Sequence, residues 1–411
     1  MRRLAYLLFI TLLVLACFGI HKLANTPDPS RPRTREQVMG TRLDNPSPDP
    51  TADRAPKPQQ ANTQLDAERL AKLRALHQLD AGETLAHAKE RLVEMMYDPN
   101  REGGSAREAM DAVAQVWGKE EWVLELQIPL TLPQEGERNL RGLAAQSIGE
   151  MWGKQEWVKK LLVPLTQPQE KDPYVRGAAI RTLGELWGKE EWLKDLLVQL
   201  IQPQEKEAEV RRQAIETLRE TWGREEWLKE LLIPLTEPGE EEDWGVRHDA
   251  IESLGKLWGK EEGLKDLLVP IIQSAETNSC VRAQAVATLG EGGVRTEWLK
   301  ELLVPLTRPQ EGSVDVRLRA ISTLAKVWGK EDWVKDVLVP LTQPQETNEY
   351  VRGLTISTLG NVWGQEEWVR DLLLPLAGPE EEKGGVRAEA QGYLRKHYPE
   401  LVPVERYPKS P

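Results

Sequence analysis

The sequence predicts an all-α fold, a right-handed α-solenoid of about eight 35-residue helix-pair repeats with an atypical N-terminal helical cap. Two residue types that recur at one interval support this, and a repeat of this length is typical of a solenoid. The first is a tryptophan, at Trp117, Trp152, Trp187, Trp222, Trp258, Trp328 and Trp363. The second is an arginine after an aliphatic residue, at Arg141, Arg176, Arg211, Arg247, Arg282, Arg317, Arg352 and Arg387.

The third observation is that each interval holds two segments with helical periodicity. The first segment is exemplified by "DPYVRGAAIRTLGELWG", from Asp172 to Gly188. Asp172 suits an N-cap and Pro173 the first helical position, while Gly188 suits the end of the helix. Asp243, Asn278, Ser313 and Asn348 occupy the cap position in other repeats.

The second segment is exemplified by "KEEWLKDLLVQL", from Lys189 to Leu200. Its acidic start favours the positive end of a helix. Trp192, Leu193, Leu196 and Leu197 are predicted to face inward, with Lys194 and Asp195 facing out. Most repeats carry a proline late in this segment, which predicts a kink or the end of the helix.

The repeat residues have predicted structural roles. The two tryptophans of a repeat, five residues apart, are expected to fill the corner between its helices, since each ring buries ~150–250 Å²; an aromatic ligand site or a carbohydrate-binding stripe is the alternative. The arginines are expected to bind carboxylates or carbonyls of the next repeat, with substrate binding as the alternative. A glycine three residues before the first tryptophan (Gly149, Gly184, Gly255, Gly290, Gly360) is expected to let helices approach closely.

The segments "DPYVRGAAIRTLG" and "NEYVRGLTISTLG" resemble HEAT repeats, and most closely the short variety found in phycobilisome lyase subunits. The resemblance covers residues 105–398, which hold eight repeats and a final helix. It implies the solenoid fold, and the matching residues are structural. It also implies an alternative function, a bilin-lyase-like enzyme or enzyme subunit.

Five regions follow along the chain. Residues 1–23 contain an uncharged run from Leu4 to Ile20 and are predicted to be a signal or membrane-anchor segment. Cys17 is a candidate lipidation site. Residues 24–62 are predicted to be a disordered Pro-rich linker, 63–104 the helical cap, 105–398 the solenoid and 399–411 a tail. We therefore expect a membrane-anchored chain that lies mostly outside the cytoplasm, with a lipoprotein or a secreted protein as alternatives.

Composition argues against several classes of function. The net charge of −12 disfavours nucleic-acid binding. Two Cys and five scattered His show no metal-ligand spacing. Motifs for nucleophilic, phosphate-binding or metal-dependent catalysis do not occur. The sequence thus predicts a non-enzymatic scaffold without cofactor or metal, which binds an unidentified protein partner.

Two features are candidates for function. Basic and acidic residues recur on the outward side of the second helices, where they form either a solvated surface or a charged groove for an extended partner: Lys194, Asp195, Lys229, Glu230, Lys265, Asp266, Lys300, Glu301, Lys335 and Asp336. Gly263 replaces the second tryptophan of one repeat and Gly293 the first tryptophan of the next, beside Gly292. We expect residues 259–298 to form a hinge or a place where a partner inserts, or else a degenerate joint repacked by its neighbours.

Overall fold

The computed structural model describes residues 58–97, 103–132, 138–276, 278–293, 295–364, 366–399 and 401. Within them the chain forms nineteen α-helices and no strand, which confirms the all-α fold predicted from the sequence. The helices are α1 (Pro58–Ala75), α2 (Leu85–Tyr97), α3 (Gly103–Trp117), α4 (Glu121–Leu130), α5 (Arg138–Trp152), α6 (Glu156–Leu165), α7 (Pro173–Trp187), α8 (Glu191–Leu200), α9 (Ala208–Trp222), α10 (Glu226–Leu232), α11 (Trp244–Trp258), α12 (Gly263–Pro270), α13 (Ser279–Glu291), α14 (Glu297–Leu306), α15 (Val314–Trp328), α16 (Asp332–Leu338), α17 (Glu349–Trp363), α18 (Glu367–Leu376) and α19 (Gly384–His397).

These helices form eight repeats of two, from repeat 1 (α3 and α4) to repeat 8 (α17 and α18), followed by α19. Within each compact unit described below, contacts connect one first helix with the next, as in α5 with α7 and α13 with α15. Second helices pack against the next first helix, as α14 does against α15, and several also contact their own first helix, as α16 does with α15. This stacking is an α-solenoid, because a repeat buries its apolar face only against its neighbours. The right-handedness of the solenoid stays a prediction.

The chain divides into two compact units, Met1–Leu197 and Val198–Pro411, and the division falls within α8. In the first unit the first helices α3, α5 and α7 pack in succession. In the second unit α9, α11, α13, α15, α17 and α19 do the same. Each unit thus has a layer of first helices with the second helices beside it.

The predicted helix starts and ends are confirmed. Asp172 begins α7 because its side chain accepts a hydrogen bond from the backbone N–H of Tyr174, and Asp243, Asn278, Ser313 and Asn348 cap their helices in the same way. Gly188 ends α7 with a φ of 54°, a backbone conformation that glycine adopts without strain. Prolines lie in the last turn of several second helices, or start a short 3₁₀ turn at Pro234.

The first tryptophan of a repeat belongs to the core, as the sequence predicts. Its exposed fraction ranges from 2% at Trp258 to 7% at Trp222. The first helices approach closely where the recurrent glycine of one meets a side chain of the next. A Cβ on Gly255 would lie 2.7 Å from Cγ2 of Thr288, so this spacing requires glycine. Gly149, Gly290 and Gly360 make equivalent approaches to Thr182, Thr323 and Tyr393.

The N-terminal cap is a degenerate repeat. Its helix α1 begins at Pro58, so residues 58–62, assigned to the linker from the sequence, are helical. In α2, Lys89 lies 3.5 Å from the centre of the Trp122 ring, as Lys159 lies 3.6 Å from that of Trp192. Because Lys89 and Lys159 are two 35-residue periods apart, α2 takes the place of a second helix ahead of repeat 1.

The predicted membrane localisation needs correction. Among the residues that the structure describes, no helix combines the length and the apolar character needed to cross a bilayer. Membrane anchoring is therefore not supported. Residues 1–23, which include Cys17, and residues 24–57 lie outside the described residues, as do the tail residues 402–411.

Candidate partner-binding surface

The predicted charged residues lie on the outward side of the second helices. In α10, Leu228 and Leu232 are buried against the first helices, while Lys229 is half-buried and Glu230 exposed. The same order of exposure occurs in α14 with Lys300 and Glu301 and in α16 with Lys335 and Asp336. Lys265 and Asp266 of α12 are both exposed. In the other unit, Lys194 is half-buried and Asp195 exposed on α8.

The lysines lie over tryptophan rings of the following repeat. Nζ of Lys265 is 4.6 Å from the centre of the Trp298 ring, Lys300 is 4.6 Å from Trp333, and Lys335 is 4.2 Å from Trp368. A cation placed over an indole face is stabilised by ~0.5–1 kcal/mol at a partly exposed site. These contacts connect successive second helices, so the basic row has a structural role.

The carboxylates are exposed, although Glu226, Glu297 and Asp371 each also pair with the basic residue of their own helix. In repeats 4 to 8 each second helix exposes one carboxylate at its start and a second one four residues later, on the same side of the helix. The first set is Glu226, Glu262, Glu297, Asp332 and Glu367, and the second is Glu230, Asp266, Glu301, Asp336 and Asp371. The surface, which we call the acidic face, thus carries two exposed carboxylates for each cation.

The sequence pattern led us to expect two equal rows of charge. The contact between Lys300 and Trp333 was not predicted because it joins two repeats, and periodicity within one repeat does not show where a side chain points. A constant spacing in the sequence could have indicated it, since the tryptophan follows the lysine by 33 residues at Lys265, Lys300 and Lys335 alike. The acidic helix starts were interpreted only through the helix dipole.

The corner between the two helices of a repeat is built on a tryptophan pair. Trp328 and Trp333 meet edge to face with ring centres 5.3 Å apart and planes at 75°, and five other described pairs share this geometry. Such pairs contribute ~0.5–1.5 kcal/mol beyond the area that they bury. Core packing, as predicted, is thus the role of the first ring, while most second rings stay half-buried.

A glutamate two residues before the second tryptophan completes the corner. Oε2 of Glu331 accepts the indole N–H of Trp333 at 2.7 Å, and Oε1 accepts a hydrogen bond from Arg295 of the preceding corner at 3.0 Å. Glu366 does the same for Trp368, at 2.7 Å, and for Lys330. One carboxylate therefore joins its own ring to the previous repeat.

The recurrent arginines form a buried ladder with glutamates. Arg352 donates to Glu381 at 2.9 Å, and this glutamate lies in the loop that leads out of the same repeat. Nε of Arg352 donates to the carbonyl of Thr342 at 3.0 Å, in the loop that leads in. A carboxylate and a carbonyl are the partners, as predicted, but the carboxylate belongs to the same repeat and the carbonyl to the preceding one, so the predicted link to the next repeat is wrong. Other pairs across the loops include Arg141–Glu170, Arg211–Glu241, Arg247–Glu276, Arg282–Glu311 and Arg317–Glu346.

This ladder shifts the ionisation of its carboxylates. The hydrogen bond from Arg352 lowers the pKa of Glu381, burial opposes the shift, and the backbone N–H of Lys383 adds to it. The pKa of Glu311 is also lowered: its burial acts to raise it, but Arg282 and the N–H of Ser313 outweigh burial. These glutamates are therefore held in the ionised form.

The three glycines of the predicted hinge lie at two altered corners. Gly263 begins α12, and a Cβ there would have open space around it. With no ring at this position, Lys229 instead binds Glu261 at 2.6 Å. Gly292 packs directly against the backbone of Gly259, and Gly293 follows with a φ of 62°. The helix α13 ends at Glu291, two residues before the position where a first tryptophan would stand.

Comparison with known families gives the repeat a name. Residues 131–219 and 193–290 match the family model for HEAT repeats. The chain contains HEAT repeats. The matched ranges fall in repeats 2 to 6, and the phycobilisome-lyase variety suggested by the sequence is not confirmed.

Several solved structures are also similar to the chain. An engineered protein is 18% identical, with a TM-score of 0.34, over 82% of this chain and 95% of that one. Yeast importin-β (Kap95p) is 14% identical, with a TM-score of 0.43, over 86% of this chain and 51% of that one. Importin β crystallised in ammonium sulfate is 15% identical, with a TM-score of 0.44, over 84% and 49%. The HEAT-repeat chain thus spans about half the length of these importins. A comparison with curated protein sequences gave no match.

Proposed function

We propose that this chain is a non-enzymatic scaffold whose HEAT repeats bind another protein, and that the acidic face of repeats 4 to 8 is the binding surface. The observation that carries the proposal is that the basic row and the acidic row have different surroundings. The lysines lie against the rings of Trp298, Trp333 and Trp368, whereas the carboxylates beside them are exposed.

This arrangement specifies the chemistry of the partner. The carboxylates recur once per repeat on successive second helices, so a basic segment that runs across the repeats meets a new pair at each step. An extended conformation suits such a row, because each repeat then contacts a different part of the segment. We infer a partner with a basic, extended segment, held mainly by charge and steered by it during association.

The test is binding of a fluorescently labelled 20-residue peptide rich in Lys and Arg, followed by fluorescence anisotropy. We expect saturable binding that weakens as salt is raised, since salt screens exposed charges. A peptide of the same length rich in Glu should not bind. The decisive variant combines Glu230→Gln, Asp266→Asn, Glu301→Gln and Asp336→Asn, and it should weaken binding at least about tenfold if each lost pair contributes only a few tenths of a kcal/mol.

A matched control removes the same charge elsewhere in the same unit. The variant Glu240→Gln, Glu242→Gln, Glu349→Gln and Glu382→Gln neutralises four exposed carboxylates outside the second helices. It should leave binding close to that of the unaltered protein. Equal loss in both variants would show that only net charge matters and would refute the acidic face as the site.

A further inference from the structure

The corner of repeat 6 lacks the glutamate that completes other corners. Thr296 stands where repeat 7 has Glu331 and repeat 8 has Glu366. A threonine hydroxyl cannot replace a carboxylate that accepts from an indole and a cation at once. Three donors are consequently left without an acceptor in the described part of the chain.

The first of these donors is the indole N–H of Trp298, which makes no hydrogen bond within the described residues, whereas Trp333 donates to Glu331 at 2.7 Å. The second is Lys260, the cation of the preceding corner, which has no ion-pair partner among them. The third is the hydroxyl of Thr296, whose oxygen is buried and has no hydrogen-bond partner in the described chain. Of the three, only the Thr296 hydroxyl is buried, and a buried donor without an acceptor costs about 1–3 kcal/mol in proteins. Lys260 is exposed and Trp298 is half-buried, so water reaches both of them.

A cleft of about 230 Å³ lies on one side of Lys260, and Arg224, Lys256, Trp258 and Glu291 also line it. Trp298 and Thr296 are not among its lining residues, so the cleft gives access to Lys260 alone. Arg224 is bound to Glu261 and Lys256 to Glu252, which leaves Lys260 as the cation free to bind an anion. Glu291 lines the same cleft and forms no ion pair with Lys260 in this structure. Lys260 lies close to the altered corner, since a Cβ on Gly292 would be 3.6 Å from its Cα.

Repeat 2 provides a comparison. There Gln155 replaces the glutamate, and the indole nitrogen of Trp157 is also left without an acceptor. The Trp157 side chain is buried, with 5% of its surface exposed, so a ligand cannot reach that nitrogen. Trp298 is half-buried and thus partly reachable. Of these two unsatisfied corners, repeat 6 is the accessible one.

We propose that the corner of repeat 6 is a carboxylate-binding site, in which the carboxylate of a ligand replaces the missing glutamate. One oxygen accepts from the indole N–H of Trp298, and the other binds Lys260, as the two oxygens of Glu331 serve Trp333 and Arg295. The hydroxyl of Thr296 and the amino end of α14 support the same charge. The carboxylate comes either from an acidic side chain of a protein or from a small free acid. This site is independent of the acidic face, which selects the opposite charge.

The indole N–H signals in a ¹⁵N–¹H NMR spectrum report on this site directly. The Trp298 signal is assigned by its loss in Trp298→Phe, and the Trp333 signal serves as an internal reference because its acceptor is already in place. Sodium acetate is titrated against sodium chloride at equal ionic strength. We expect acetate, but not chloride, to shift the Trp298 signal in a saturable way while Trp333 stays unchanged.

Two variants test the assignment. Lys260→Gln should weaken the acetate response at least about tenfold, since a hydrogen bond to a charged group is lost. Thr296→Glu supplies the carboxylate within the chain, so the Trp298 signal should be displaced before acetate is added and should no longer respond. The Trp333 signal should be the same in all three proteins, which shows that the fold is intact.

The source of the carboxylate is distinguished with end-blocked peptides. A response to a peptide with a central Glu, and none to the same peptide with Gln, assigns the site to an acidic side chain of a partner. A response to acetate alone assigns it to a small free acid. If Trp298 shifts no more than Trp333 with every probe, or if Lys260→Gln responds like the unaltered protein, the site does not exist.

Discussion

At the scale of single residues, the buried arginine–glutamate pairs are the feature whose stability depends most on ionisation. Glu381 accepts from Arg352 and from the backbone N–H of Lys383, so one carboxylate fixes both an arginine and the start of the next helix. A charge buried in this way is stable only while its partner stays ionised. The pairs should therefore govern how the protein responds to acid.

The sign of this response follows from the lowered pKa of Glu381, caused first by its hydrogen bond to Arg352. A carboxyl whose folded pKa lies below its unfolded value of 4.5 stabilises the fold above that value. The contribution is lost as the pH falls through the folded pKa. We therefore expect these glutamates to leave the urea concentration at the midpoint of unfolding nearly constant from pH 7 to about 5. Below about pH 4.5 this midpoint should decrease.

Glu381→Gln isolates one pair. It should lower the free energy of unfolding at pH 7 by about 1–3 kcal/mol, because Arg352 stays buried without a countercharge. It should also reduce the decrease between pH 5 and 3. The neighbouring Glu382→Gln, which alters an exposed side chain, is the control. Equal urea midpoints for the two variants at pH 7 would contradict the ladder's role.

The lysine–tryptophan contacts are the second residue-scale feature. A double-mutant cycle with Lys335→Met and Trp368→Leu should give a coupling energy of ~0.5–1 kcal/mol in urea unfolding. Lys335→Arg should retain most of it, because a guanidinium also stacks on an indole. Zero coupling would mean that the lysine merely lies nearby.

At the scale of elements, repeats 5 and 6 differ from the others. Lys229 has no ring to cover, Trp298 has no first tryptophan beside it, and α12 ends in a π turn from Ile271 to Ala275. The first loss replaces a lysine–ring contact between repeats 4 and 5 by an ion pair, and the second removes the tryptophan pair within repeat 6; in a solenoid such a deficit stays local. The hinge proposed for residues 259–298 rests on these losses, while the close packing of Gly259 on Gly292 opposes it.

Native-state hydrogen exchange tests this joint. Amides of 259–298 should exchange faster than those of 175–222. Gly263→Trp should slow exchange in α12, because the new ring can pair with Trp258 and lie under Lys229. Gly263→Ala is the matched control for the gain in helix propensity alone, since a Cβ there meets nothing. Equal exchange in both stretches would refute the hinge.

The helices themselves could be predicted closely. The repeat unit contains its own caps, so Asp172 and Gly188 defined α7 to within one residue before any contact was known. The acidic face could be predicted only in part, because the sequence shows which residues face outward but not that Lys300 lies on Trp333 in the next repeat. The role of Glu331 was missed for the same reason. Its two donors come from different repeats, and no single repeat shows both.

At the scale of the whole molecule, an array of repeats needs ends that face water. The helix α19 packs on α17 and α18, and it buries Val386, Ala390 and Leu394 against them. Tyr393 also donates a hydrogen bond to the carbonyl of Gly364. The helix therefore covers the apolar side of repeat 8.

Removing residues 377–411 should uncover that side. We expect lower solubility and a lower thermal midpoint than for the intact chain, since repeat 8 would expose Val351, Ile356 and Leu373, which are now buried. Removal of residues 402–411 alone serves as the control and should change neither property. An unchanged thermal midpoint after the longer deletion would show that α19 is dispensable.

The seating of Gly259 against Gly292 has a consequence for how a repetitive chain finds one folded state. In the other repeats the contacts between neighbours are nearly the same. A helix pair that packed during folding on the repeat after its proper neighbour would therefore meet the same rings and charges. At this joint it would not. The positions one and two periods after Gly292 are Val327 and Val362, whose side chains would collide with the backbone of Gly259. The irregular joint thus fixes the order in which the repeats pair. It excludes folded states in which a repeat packs against the wrong neighbour, which a perfectly regular array would tolerate.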